Sequence, residues 1–193
     1  MEIRPITKEN RFEVNNFIRE HWFTTEMAVR GELVDMTGLD GFVAYENARM
    51  IGLITYRLDG KDCEIMSLDS LKEKRGIGSA LMAMVIRTAR ELHCEKVKLI
   101  TTNDNLNAMR FYQKRGFDMA RLYRNALESA RKLKPEIPLI GDHGIPLRHE
   151  IEFEYLLSPQ KEQIGIHLPS AERKDAVFAV ELQNRHFETE GKS

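Results

Sequence analysis

The stretch Lys72-Glu73-Lys74-Arg75-Gly76-Ile77-Gly78-Ser79 separates two apolar patterns of different period. Before it, residues 63–71 read as a strand in which Ile65 and Leu68 need a bulge to stay on one face. After it, Ile77, Leu81, Met82, Val85, Ile86, Ala89 and Leu92 recur at helical spacing, to about His93. A strand therefore runs through a glycine turn into an amphipathic helix. Gly76 and Gly78 let backbone approach a ligand with no Cβ in the way. The helix start leaves N–H groups unpaired, and its dipole favours negative charge there. Lys72, Lys74 and Arg75 add three cations at the same place, an assembly suited to a pyrophosphate. The spacing is neither G-x-x-x-x-G-K-[ST] nor G-x-G-x-x-G, which disfavours a nucleotide P-loop and a Rossmann fingerprint.

Upstream, residues 2–6 read as a first strand and 10–22 as a helix with Phe12, Val14, Phe17, Ile18 and Trp22 near one stripe. Residues 21–40 show no clean period and read as a substrate-side loop with one helical turn at most. Residues 41–45 and 50–58 are apolar and β-branched with hairpin spacing, and Asp59-Gly60-Lys61-Asp62 turns into the third strand of the set. Downstream, Val97, Leu99 and Ile100 mark a strand, 105–115 a helix stopped by Gly116, 117–123 a strand and 125–134 a helix broken by Pro135 and Pro138. Residues 149–157 alternate Ile151, Phe153 and Tyr155 with Glu150, Glu152 and Glu154, a half-exposed final strand. The order β-α-βββ-α-β-α-β-β predicts an α+β (mixed α/β) domain closing near residue 157. Residues 158–193 read as a separable extension with a helix over 170–188. Three roles are open to that helix: docking on the domain, building a homodimer contact, or forming a loosely held tail.

The chain has 193 residues, 42% hydrophobic and 31% charged, the balance of a globular domain with a real core. Its two cysteines, Cys63 and Cys94, exclude a disulfide framework and a multi-cysteine zinc site, and no metal is expected. No apolar run is long enough for a membrane span and the charged start is not a signal peptide, so a cytoplasmic protein without a membrane partner is expected. The formal net charge of −1 argues against nucleic acid as a partner. That total divides unevenly: residues 1–60 carry 7 Lys/Arg and 10 Asp/Glu, residues 61–134 carry 16 and 9, and residues 135–193 carry 6 and 11. A basic middle suits a polyanionic ligand, and acidic ends suit something cationic.

A second motif lies ~30 residues past the glycine turn: Asn105-Leu106-Asn107-Ala108-Met109-Arg110-Phe111-Tyr112-Gln113-Lys114-Arg115-Gly116-Phe117. Taken with the first, it resembles the GNAT superfamily of acetyl-CoA-dependent N-acetyltransferases, whose members carry [Q/R]-x-x-G-x-[G/A] opening a helix and then N-x-x-A-x-x-[FL]-Y-x-x-x-G-F. The resemblance covers residues 1 to about 157. It departs from the family at Glu73, which stands where Gln or Arg is usual. The resemblance implies a central mixed six- to seven-stranded sheet flanked by helices, with acetyl-CoA as co-substrate between strands 63–71 and 95–102. It implies that backbone around Leu68, Asp69 and Ser70 bonds the pantetheine, that Lys74, Arg75, Gly76, Ile77, Gly78 and Ser79 hold the pyrophosphate, and that Asn105 reaches the pantetheine region. Tyr112 falls on the family's general acid. The resemblance makes Glu64 a candidate general base, acting through water, with Asp69 as an alternative and, as in many members, no dedicated base at all as a third. The acceptor implied is a primary amine of a small molecule or protein. A reading of a different class, an acyl-CoA sensor without catalysis, needs no positioned acid, and Tyr112 therefore favours the enzyme.

Overall fold

The computed structural model describes residues 1–22, 24–72 and 75–157. In chain order they form β1 (Glu2–Pro5), α1 (Arg11–Trp22), β2 (Glu26–Val29), β3 (Glu32–Asp35), β4 (Asp40–Glu46), β5 (Arg49–Asp59), β6 (Asp62–Ser70), α2 (Ile77–Glu91), β7 (Lys96–Thr102), α3 (Leu106–Gln113), β8 (Asp118–Tyr123), α4 (Ala126–Leu133) and β9 (Glu150–Leu156). Seven strands build one mixed sheet in the order β1-β4-β5-β6-β7-β9-β8. Its neighbours are antiparallel except β6 and β7, which α2 joins as a crossover between parallel strands.

Local chemistry explains the registers. The β4–β5 hairpin closes through Asn47 and Ala48, both left-handed (φ 51° and 58°), the two-residue turn whose twist matches that of the strands. In the β5–β6 pair, Thr55 opposes Ser67 while Tyr56 opposes Ile65, so Met66 is the extra residue. This is the bulge that the spacing of Ile65 and Leu68 requires, and it returns both side chains to one face.

The sheet is covered on two sides. One face buries Phe42, Ile54, Ile65, Phe117 and Phe153 against Leu81, Val85 and Ala89 of α2. The other buries Val43 and Leu53 against Val14, Phe17 and Ile18 of α1 and against Met36. Each such side chain contributes about 1.5–3 kcal/mol by leaving water. Gly52 sets how closely α2 approaches, because a Cβ there would lie 2.7 Å from Ile77 Cγ2 and 2.9 Å from the Asp69 carbonyl oxygen.

The region 21–40 departs from the loop expected of it. β2 and β3 pair antiparallel across a tight turn at Arg30 (φ 50°) and Gly31 (φ 79°). α4 packs beside this hairpin through Leu127 and Ala130, with Leu147 and Ala28 completing the cluster. The expected helix at 170–188 and the extension 158–193 lie outside the described residues. No helix among the described residues is long and apolar enough to cross a membrane.

Candidate active site

The β6–β7 ladder runs only from Asp62/Lys96 to Ile65/Leu99. β6 continues to Ser70 and β7 to Thr102 without pairing to each other, so the two strands part and leave backbone groups of β6 open on that side. A cavity of about 490 Å³ lies at this parting. Leu68 and Ser70 form one wall and Gly76, Ile77, Gly78 and Ser79 another, with Tyr112 reaching in from α3.

The glycine turn works through backbone conformation. Gly76 is left-handed (φ 76°) and starts α2 with no side-chain cap, and no acidic residue stands in the helix's first turn. The leading N–H groups are thus left for a ligand at the positive end of the dipole. A Cβ on Gly78 would stand 3.2 Å from the Phe111 ring, tight enough to narrow the cavity. Gly76→Ala places a Cβ in open space, so its cost is conformational only. We expect about 1–2 kcal/mol of lost stability, or a thermal midpoint lowered by about 2–8 °C. An unchanged midpoint in a melting experiment would refute the dependence on a left-handed residue there.

The cations are arranged unevenly. Lys72 and Arg75 both turn to the Glu46 carboxylate, Arg75 at 3.1 Å. Lys72 also lines the cavity, whereas Arg75 does not. Arg115 lines it too, with its guanidinium 3.4 Å from the centre of the Phe111 ring. Its Nε donates to Ser79 Oγ at 3.1 Å and Nη1 to the Phe111 carbonyl at 2.7 Å. Among the described residues no carboxylate pairs with Arg115, and burial lowers its pKa from the ordinary value. An anion in the cavity would offset that penalty. Lys74 and Glu73 lie outside the described residues.

On α3, Asn105 is the N-cap: its Oδ1 accepts from Ala108 N at 3.0 Å, which ties the side chain to its own helix. Asn107 and Ala108 line the cavity in its place. Tyr112 is wedged among aromatic rings, with centroids 5.4 Å from Phe111, 5.9 Å from Phe117 and 5.8 Å from Phe153. Burial, assisted by the Asp69 charge, pushes its phenol up to about 12.

The other face of the sheet carries the two expected bases. Glu64 is only 1% exposed and receives four contacts from two guanidinium groups: Arg30 at 2.8 and 2.9 Å, Arg57 at 2.9 and 2.8 Å. Arg30 comes from the β2–β3 turn and also approaches Glu152 at 3.8 Å, while its backbone N–H donates to Glu150 at 3.2 Å. Glu64 therefore pins the hairpin to the sheet and does not line the cavity. The final strand is not the solvent-facing acidic edge that its alternation implies. Glu150 is 3% exposed, Glu152 accepts from the Tyr123 hydroxyl at 2.6 Å and Glu154 pairs with Lys96 at 3.0 Å. Asp69 is held differently, by the Trp22 indole Nε1–H, which lies 3.2 Å from each carboxylate oxygen.

The remaining candidates are inert. Cys63 is buried, its thiol pushed up to about 12, and burial raises Cys94 as well, so neither is a ready thiolate. Among the described residues no group of three His, Cys, Asp or Glu side chains is placed to hold a metal ion.

A mixed seven-stranded sheet that parts beside a glycine-started helix is the arrangement that the sequence resemblance implies. The acetyltransferase (GNAT) family model matches residues 7–117. The chain is 48% identical over 158 residues to the uncharacterized protein YdhI of Bacillus subtilis (strain 168), covering 81% of this chain and 99% of that protein. Similar solved structures include an IAA acetyltransferase from Bacillus cereus ATCC 14579 (TM-score 0.59, 20% identity, 81% of this chain and 99% of that one). Another is a GNAT family acetyltransferase from Elizabethkingia anophelis with acetyl-CoA bound (TM-score 0.57, 19% identity, 81% and 97%). The chain belongs to the GNAT family of acetyltransferases.

Proposed function

We propose that this protein is an N-acetyltransferase that passes the acetyl group of acetyl-CoA directly to a primary amine of a small molecule or protein, with both substrates bound together. The observation that carries the reading is the meeting of three features at one cavity: parted strands, an uncapped helix start and a buried phenol. The residues present fit acetyl-CoA. N–H groups at the start of α2 and the Arg115 guanidinium, which has no carboxylate partner among the described residues, suit the pyrophosphate. Backbone of Leu68–Ser70, open on the β7 side, suits the pantetheine amides as an added strand. The Elizabethkingia relative, which holds acetyl-CoA, supports the same ligand here.

Acetyl-CoA supplies an acetyl thioester whose carbonyl carbon an amine can attack. Tyr112, neutral at any physiological pH, holds a proton for the departing sulfur. Backbone N–H groups of the open β6 edge are the available donors for the oxyanion. Rates measured with both substrates varied should give intersecting reciprocal plots, and parallel lines would overturn direct transfer in favour of a covalent acetyl-enzyme.

Arg115→Ala tests the phosphate contact. A charge-assisted hydrogen bond of about 1.5–3 kcal/mol predicts acetyl-CoA binding weakened about 10- to 100-fold by calorimetry. Acetyl-pantetheine, which lacks the diphosphate, should bind equally to both proteins. Equal loss for both ligands would mean that Arg115 only supports the wall of the cavity.

A further inference from the structure

We infer that Asp69, not the arginine-bound Glu64, is the carboxylate that meets the amine and takes its proton, and that Trp22 is its positioning residue. The inference rests on the acetyl-transfer reading above and adds the proton acceptor to it. Along β6, Leu68 and Ser70 turn toward the cofactor cavity. Asp69, between them, points through the opposite face of the same strand. It lies beyond Ile65, the last residue paired with β7, where no ladder closes the sheet between the two faces. Asp69 and Tyr112 thus approach one strand gap from opposite sides of the sheet, Asp69 from the side of Trp22 and Tyr112 from the cavity.

The surroundings distinguish Asp69 from Glu64. A base needs an oxygen with a free lone pair and no fixed cation neutralising it. Glu64 has two guanidinium partners, whereas among the described residues no Lys or Arg pairs with Asp69. Its hydrogen-bond donor among the described residues is the neutral Trp22 indole, which fixes the carboxylate without cancelling its charge. The titratable groups facing it are His21 on α1, whose ring stacks on Phe17, and Tyr112 on α3. Two residues back on β6, Ser67 and its cross-strand partner Thr55 form a neutral hydroxyl pair at 2.8 Å. Burial raises the Asp69 carboxyl above its ordinary value, against smaller lowering by Trp22 and His21. The same burial lowers the pKa of an incoming ammonium, so the two pKa values move toward each other.

The proton balance is as follows. An ammonium N–H bond breaks, its proton passing to an Asp69 oxygen and its electron pair staying on nitrogen. That nitrogen bonds to the thioester carbon, the C–S bond breaks, and the sulfur takes the Tyr112 proton. The surplus proton on the amide nitrogen restores Tyr112, and the Asp69 proton leaves to solvent. One proton is released for each acetyl group transferred.

Trp22 is the chain's only tryptophan, so its fluorescence reports Asp69 protonation whether or not an amine is present. In the full chain, emission should titrate with a midpoint above the ordinary Asp value of about 3.9. The transition should vanish in Asp69→Asn and persist in His21→Gln. Asp69→Asn should lower kcat/KM at least about 100-fold and remove an acidic limb with the same midpoint, while acetyl-CoA affinity stays within about three-fold. An Asp69→Asn variant with wild-type turnover and an intact acidic limb overturns the assignment alone, as does a fluorescence transition that survives the substitution. A wild type that acetylates no amine overturns the acetyl-transfer reading and this assignment with it.

Discussion

Tyr112→Phe should lower kcat about 10²- to 10⁴-fold while leaving the thermal midpoint and acetyl-CoA affinity nearly unchanged. The substitution removes one oxygen and keeps the ring that packs against Phe111, Phe117 and Phe153, so it opens no cavity in the core. What it removes, under the proposed reaction, is the proton for the leaving sulfur. With the phenol at about 12, that proton is present throughout the working range, and Tyr112 adds no alkaline limb to the rate profile below that pH. In water, donation from a phenol of pKa ~10 to a thiolate of pKa ~8.5 is uphill by about 2 kcal/mol, and burial of the phenol alone widens that gap. The same apolar surroundings raise the thiolate's pKa as it forms, which narrows the gap. Turnover unchanged in Tyr112→Phe would remove the acid from the mechanism.

Glu64→Ala should cost stability before chemistry. It leaves Arg30 with only the more distant Glu152, at 3.8 Å, and Arg57 with no carboxylate partner among the described residues, each guanidinium being about one quarter exposed. Removing one partner of a buried ion pair costs about 3–5 kcal/mol, and partial exposure of both arginines places the expectation near ~3 kcal/mol. For a domain of this size that lowers the thermal midpoint by about 6–12 °C. Because Arg30 ties the β2–β3 hairpin to β6 and β9, amide exchange should rise first at 26–35. Glu64→Gln keeps the acceptor oxygen and should retain the wild-type pH–rate profile. Loss of the acidic limb in Glu64→Gln, with a native midpoint, would make Glu64 the base and displace Asp69.

Much of the fold was legible because its devices are local. Period two gave way to period 3.6 at Gly76, and the bulge at Met66 followed from the spacing of Ile65 and Leu68. The β2–β3 hairpin was missed because its strands have four residues each, too few to show a period. Its signal was Arg30-Gly31, a two-residue turn between Met27-Ala28-Val29 and Leu33-Val34. The alternation of Glu150, Glu152 and Glu154 gave two faces, yet strand period says nothing of what covers the second one. Here Arg30 and Lys96 do, from distant parts of the chain. Asn105 shows the same limit: a motif position names a residue, while the helix's own need for a cap directs its side chain. Nothing local in the sequence marks Arg115, because its bond to Ser79 reaches across 36 positions and its stack on Phe111 forms only in the fold.

The central claim, acetyl transfer to an amine, is tested most directly by incubating the full chain with acetyl-CoA and a panel of primary amines. The panel should span diamines, aminoglycosides, amino acids and protein N-termini, with free thiol and acetylated amine measured together. The expected result is thiol release that depends on one class of amine, with one acetylated amine formed per thiol. Tight acetyl-CoA binding with no thiol released across the whole panel would contradict it and leave a protein that senses acyl-CoA without turning it over.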